Sequence, residues 1–127
     1  MIKYITLLAL LTCRLFYHPD TAVSAFHSEE PAHFISFKGS VKEKKVVLQW
    51  TISGNETADQ FIIEKSTGSA SFHTAAFAFS TEKNGICQYE FYENVNTGGV
   101  KYRIQLVSKD HRITYSDVLS IDPKKGN

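Results

Sequence analysis

The chain is 127 residues long with 14 basic and 13 acidic side chains, which gives room for one domain around one core. Its formal charge of +1 is spread along the sequence and supplies no clustered positive field of the kind nucleic-acid binding uses to displace counterions from phosphate. Aromatic residues reach 13%, from nine Phe, six Tyr and one Trp, a content that suits strands burying large rings between two sheets.

Met1-Ile2-Lys3-Tyr4 opens with a positive charge, and the apolar run from Ile5 to Cys13 is too short to cross a bilayer as a helix. Residues 1–25 therefore read as an export signal with two exits. Val23-Ser24-Ala25 offers small residues at the positions a signal peptidase requires, which would start the mature chain at Phe26. Leu10-Leu11-Thr12-Cys13 resembles a bacterial lipobox, in which Cys13 would be the lipidated first residue of an anchored protein. Thr12 and Arg14 depart from that pattern, which favours soluble export to a secreted or periplasmic destination over a surface lipoprotein. Membrane association is expected only through Cys13. Cleavage after Ala25 leaves 12 basic and 12 acidic residues and only Cys87, so no intramolecular disulfide is expected. Cys87, next to alternating rings, reads as a small buried hydrophobe.

After a linker at 26–31, seven extended segments fill residues 32–122. His33 to Lys38 is the first, closed by Gly39-Ser40, and Lys42-Glu43-Lys44-Lys45 is a solvated hairpin turn. Lys45 to Ser53 is the second, with Val46, Leu48, Trp50 and Ile52 on one face. Gly54-Asn55 marks a turn, and Asp59 to Ser66 follows with Phe61 and Ile63 directed inward. Ser71 to Phe79 is the fourth, with Phe72, Phe77 and Phe79 as bulky residues. Asn84-Gly85 then reads as a hairpin signal, because both residues tolerate positive φ. Cys87 to Glu93, Val100 to Ser108 and Arg112 to Ile121 complete the series, and residues 123–127 form a polar tail. Short strands at near-even spacing predict an all-β, seven-stranded antiparallel sandwich of immunoglobulin-like type.

Leu48-Gln49-Trp50-Thr51, Phe61-Ile62-Ile63-Glu64-Lys65-Ser66, Tyr89-Glu90-Phe91 and Tyr102-Arg103-Ile104-Gln105-Leu106-Val107 with Tyr115-Ser116 together resemble the fibronectin type III family, in the variant common in secreted bacterial multidomain proteins. The resemblance spans about residues 32 to 122. It implies that Trp50 and Tyr102 pack in the core, beside Phe61, Ile63 and Ile104, and that the domain serves as a spacer, adhesion module or docking surface without catalysis. Such modules often carry an acidic turn ending in Gly after the sixth strand. Here the turn is Ser108-Lys109-Asp110-His111, so a non-glycine residue must be tolerated there.

Motifs for chemistry are missing from the sequence. His18, His27, His33, His73 and His111 form no His-x-x-x-His pair, and there is no Cys-x-x-Cys, so neither a metal nor another cofactor is expected. Glu64, Glu90 and Glu93 fall on different strands and read as surface charge. Gly68-Ser69-Ala70-Ser71 is a loop without the Gly-x-Ser-x-Gly of a nucleophile elbow. Asn55-Glu56-Thr57 matches an N-glycosylation sequon and reads as a polar turn.

The surplus is aromatic. Phe77, Phe79, Tyr89 and Phe91 read as core filling, whereas Tyr92, out of phase with Phe91, and Tyr115 are the exposed binding candidates. Two functions remain open: a module that binds a protein partner for adhesion or envelope assembly, and a small carbohydrate-binding domain that stacks an extracellular glycan on exposed rings.

Overall fold

The alternation in Lys45–Ser53 sends Val46, Leu48, Trp50 and Ile52 to one side of the strand, and all four are buried. These positions belong to a computed structural model that describes residues 29–68, 71–95 and 98–124. The expected export signal with Cys13, and the outer ends of the expected linker and tail, lie outside the described residues.

Strand β1 (His33–Lys42) pairs with β2 (Lys45–Ser53), and β2 with β5 (Cys87–Asn94), to make a three-stranded antiparallel sheet. The second sheet runs β4 (His73–Phe79), β3 (Ala58–Thr67), β6 (Val100–Ser108) and β7 (Ile113–Tyr115), with β8 (Leu119–Ile121) paired to the first residues of β6. All pairings are antiparallel, and the two sheets pack as a β-sandwich.

Among the described residues, eight strands replace the expected seven because the last segment is broken in the middle. Ser116 Oγ accepts the N–H of Ile104 at 2.8 Å, and the Ser116 N–H donates to the Ile104 carbonyl at 2.8 Å. The serine side chain thus takes a ladder position, and the chain leaves and re-enters the sheet edge as β7 and β8.

Gly39-Ser40 does not end β1. The strand continues to Lys42 across Gly39, where a Cβ would stand 2.8 Å from Ile121 Cδ1 and 3.1 Å from Leu48 Cδ2. Glycine is needed there because β8 and β2 side chains press against the backbone, and a side chain at that point would displace them. Glu43 and Lys44 form the two-residue hairpin loop, both with positive φ, the geometry a type I′ turn requires and one that glycine or asparagine adopts more cheaply. His111 likewise sits at φ 66.

Asn84-Gly85 is not a hairpin turn. It lies on the crossing that carries the chain from β4 in one sheet to β5 in the other. Buried Asn55, the first residue of a 3₁₀ turn, fixes that crossing: its Nδ2 donates to the Lys83 carbonyl at 2.8 Å and to Thr81 Oγ1 at 3.2 Å. Its backbone N–H donates to the Gly85 carbonyl at 3.0 Å. Asn55 Oδ1 accepts the Tyr89 hydroxyl, which ties the loop to the core.

Trp50 is the centre of that core. Its ring stacks on Tyr89 at 5.6 Å with 12° between planes and meets Phe61 edge-on at 5.6 Å. Phe61 and Tyr89 close the triangle at 4.5 Å. Ile63, Ile104 and Leu106 from the second sheet, and Leu48 and Ile52 from the first, surround it, each at most 1% exposed. The Trp50 indole N–H has no acceptor among the described residues, so the residue contributes through ring area and contact.

Trp50→Ala is expected to lower the unfolding free energy by about 3–5 kcal/mol. Tyr89→Phe, which leaves Asn55 Oδ1 with only the long Ser80 hydroxyl contact at 3.4 Å, should cost about 1–3 kcal/mol. Urea denaturation measures both, and a loss under ~1 kcal/mol for Trp50→Ala would contradict the ring cluster as the core.

Candidate functional site

The outward positions of the two sheets differ in kind. On the three-stranded sheet, the outward rows are Ser40, Val47 and Tyr92, then Lys38, Gln49 and Glu90, then Ser36, Thr51 and Gln88. Gln49 Nε2 donates to Glu90 Oε2 at 2.8 Å across the middle row. These rows are polar apart from Val47 and Tyr92, and Ile35, at the β1 irregularity, is 52% exposed.

On the other sheet, one row is Phe79, Gln60, Val107 and Ile113, and the next is Phe77, Ile62, Gln105 and Tyr115. Each row crosses three strand spacings, about 14 Å. Phe79 is 74% exposed, Ile113 54%, Phe77 51% and Tyr115 50%. Rings and branched aliphatic side chains therefore stand on all four strands, with Gln60 and Gln105 among them. The expectation that Phe77 and Phe79 fill the core is corrected: the inward positions of β4 are the small Ala76 and Ala78, which pack on the core while the rings point to solvent.

Arg103 is a cation set into this surface. Arg103 Cζ lies 4.2 Å from the Phe72 ring centroid and 4.6 Å from that of Tyr115, while its Nε donates to Glu64 Oε2 at 2.6 Å. The guanidinium is held between two rings and a carboxylate, so much of its conformational freedom is lost before any partner arrives.

Tyr92 and Tyr115, the two residues expected to bind, occupy opposite outer faces of the sandwich and do not form one site. Lys45 Nζ stands 5.0 Å from the Tyr92 ring centroid, so that ring already has a cationic neighbour. Phe77, Phe79 and Ile113 are the surface residues sequence reasoning missed. The Phe-x-Phe spacing was visible, but which side it faced depends on which sheet edge β4 occupies.

At the pole where β8 ends, a cavity of about 70 Å³ lies between the sheets, lined by Val46, Val100 and Ile121 and by a polar trio. Tyr102 donates its hydroxyl to Glu93 Oε1 at 2.6 Å, and Lys65 Nζ donates to both Glu93 oxygens at 3.2 Å. Burial, and then the hydrogen bond and negative charge of Glu93, push the Tyr102 phenol well above its ordinary value. At the other pole, Asn55 is wholly buried with its amide engaged, so the sequon at 55–57 presents no acceptor in the folded domain. Cys87 is also buried, and no three of the His, Cys, Asp and Glu side chains converge as ligands among the described residues. None of the helical residues described is long or apolar enough a run to cross a membrane.

No protein-family model matches this chain, and neither the curated proteins nor the solved structures provide a match.

The raised Tyr102 phenol makes stability depend on alkaline pH. The unfolded chain loses this proton near pH 10, whereas the folded chain holds it, so the native state binds the extra proton and loses stability as pH rises beyond that point. The urea midpoint of the wild type should fall more steeply than that of Tyr102→Phe between about pH 9 and 11. Parallel pH profiles would show that the folded chain holds the phenol proton no more tightly than the unfolded chain does.

Proposed function

We propose that the chain is a non-catalytic, exported β-sandwich module that binds another protein through the outer face of its four-stranded sheet. The observation that carries this reading is the exposure of Phe77, Phe79, Ile113 and Tyr115 around a preordered Arg103. Aromatic residues and arginine are enriched in the cores of protein interfaces, where water is excluded and a few anchors provide most of the affinity. Covering the exposed part of one such Phe would contribute on the order of 1–2 kcal/mol. The outer rows of the opposite sheet, led by Lys38, Gln49 and Glu90, are the more polar and give the contrast.

Membership of the fibronectin type III group is part of this proposal. The strand order supports it: in the constant-type immunoglobulin arrangement the fourth strand joins the first sheet, whereas here β4 pairs with β3 at the edge of the second. Export is supported by the positive start, short apolar run and Val23-Ser24-Ala25 of the leader.

The glycan reading has less support. Sugar recognition needs free ring faces together with many directional polar groups, but Tyr92 lies against Lys45 and Tyr115 against Arg103. Between the exposed rings of the second sheet stand Ile62 and Val107, with Gln60 and Gln105 as the polar groups of the two rows.

Phe79→Ser with Ile113→Ser should leave the urea midpoint nearly unchanged and abolish capture of envelope or culture-supernatant proteins from the source organism, whereas Tyr92→Ala should retain capture. Equal capture by all three proteins would remove the face from the site, and glycan-array binding lost in Tyr92→Ala would favour the alternative. For export, mass spectrometry of the processed amino terminus should find a soluble chain beginning at Phe26. A diacylated or triacylated Cys13 in the membrane fraction would replace release by anchoring.

A further inference from the structure

Strand β4 is the open edge of the four-stranded sheet, and its ladder fixes which of its backbone groups are free. The Ser80 N–H donates to the Asp59 carbonyl at 2.9 Å, opposite it in register. In an antiparallel pair, hydrogen-bonded and non-bonded positions alternate. Ala78 and Ala76 therefore exchange bonds with Phe61 and Ile63, while the N–H and C=O of Phe77 and Phe79 point to the side where no strand lies. The register irregularity falls beyond Ile63 and Ala76, so this stretch is regular.

The other edges carry features that discourage further pairing: β5, the second edge of the three-stranded sheet, has Glu90 and Glu93 along its length, and β8 has three residues. β1 has a register irregularity between Phe34 and Ser36, and Lys38 and Lys42 along its length. β7 has three residues, preceded by the exposed Arg112–Asp110 ion pair. β4 carries its register irregularity at Ala75, towards its first residues, and reads HTAAFAF with no Lys, Arg, Asp, Glu or Pro. Lysines, bulges and short strands are the usual means of keeping an edge unpaired, and the stretch from Ala76 to Phe79 beside the exposed rings carries neither charge nor bulge.

We propose that β4 pairs antiparallel with β4 of a second copy, joining two four-stranded sheets across a two-fold axis. A second copy fits because its edge offers the same free groups and the same lack of charge. A strand and its copy also meet antiparallel under any two-fold axis perpendicular to the sheet. Only registers that set Phe77 or Phe79 against Phe77 or Phe79 of the other copy use the free groups on both sides. Those registers also place phenyl rings opposite each other on the outer face, a favourable cross-strand pair. The regular seam from Ala76 to Phe79 is roughly 13 Å long, short of the extent of a standard interface of about 800 Å² per partner. Association is therefore weak and concentration-dependent.

This inference rests on the aromatic face being an interaction surface, and it names one occupant for the edge of that face. Sedimentation velocity of the full processed chain from ~5 to ~500 µM should show a shift from monomer to dimer, in the range expected of a small interface. Phe77→Pro removes an N–H that the monomer leaves unused and should remain folded and monomeric throughout. Phe79→Lys, which sets like charges across the seam, should also be monomeric and serves if the proline variant does not fold. In the wild type, amide exchange at Phe77 and Phe79 should slow with concentration while that at Ala76 and Ala78 stays constant. A wild type that is monomeric at every concentration overturns the inference, as does a dimer that persists in Phe79→Lys. A monomer that still captures a partner through Phe79 and Ile113 would overturn the pairing alone, whereas loss of both would remove the interaction surface as well.

Discussion

The buried amide of Asn55 is the constraint on which the arrangement depends. A sandwich made from one chain must cross between sheets, and a crossing loop has no ladder to satisfy its backbone. Asn55 supplies what the ladder would: a donor to Lys83 and Thr81, a backbone bond to Gly85 and an acceptor for the Tyr89 hydroxyl. Because Tyr89 also stacks on Trp50, loop and core are parts of one network. With the crossing fixed, β5 joins the first sheet and β4 is left at the edge of the second. The exposure of the Phe77 and Phe79 rings follows from that placement.

The strands with strict alternation were the legible ones. β2 carries a large apolar residue at each inward position, and the middles of β3 and β6 do the same, so period and phase are both visible, and Trp50, Phe61, Ile63, Tyr102 and Ile104 are all buried. In β4 the phase misleads. Its large residues alternate properly but face outward, and alanine fills the inward sites because little room remains beside Phe61 and Ile63. Period is a local property, whereas the identity of the inner face is decided by what the opposite sheet already holds.

Turn chemistry shows the same division between local and distant causes. Glu43-Lys44 makes a two-residue hairpin loop without glycine, because the long β1–β2 ladder offsets the cost of two positive φ values. Asn84-Gly85 has the better hairpin sequence and joins strands of different sheets. A dipeptide sets which backbone angles are cheap, and the wider topology sets which strands those angles connect. Tyr92 and Tyr115 were separated for the same reason, since the sheet to which a strand belongs is a long-range fact.

The ends of the domain lie at opposite poles. The incoming chain is held beside Gly54, where the Ala32 N–H donates to Thr57 Oγ1 at 2.7 Å and that hydroxyl bonds the Glu30 and Gly54 carbonyls. The outgoing chain leaves after Ile121, opposite Val100, beside Lys65 and Glu93. A tether at either end therefore continues the long axis of the strands. Pull applied between the two ends would run along the sandwich as through a link in a chain, with both broad faces turned sideways to the line of force and the aromatic one still open under load.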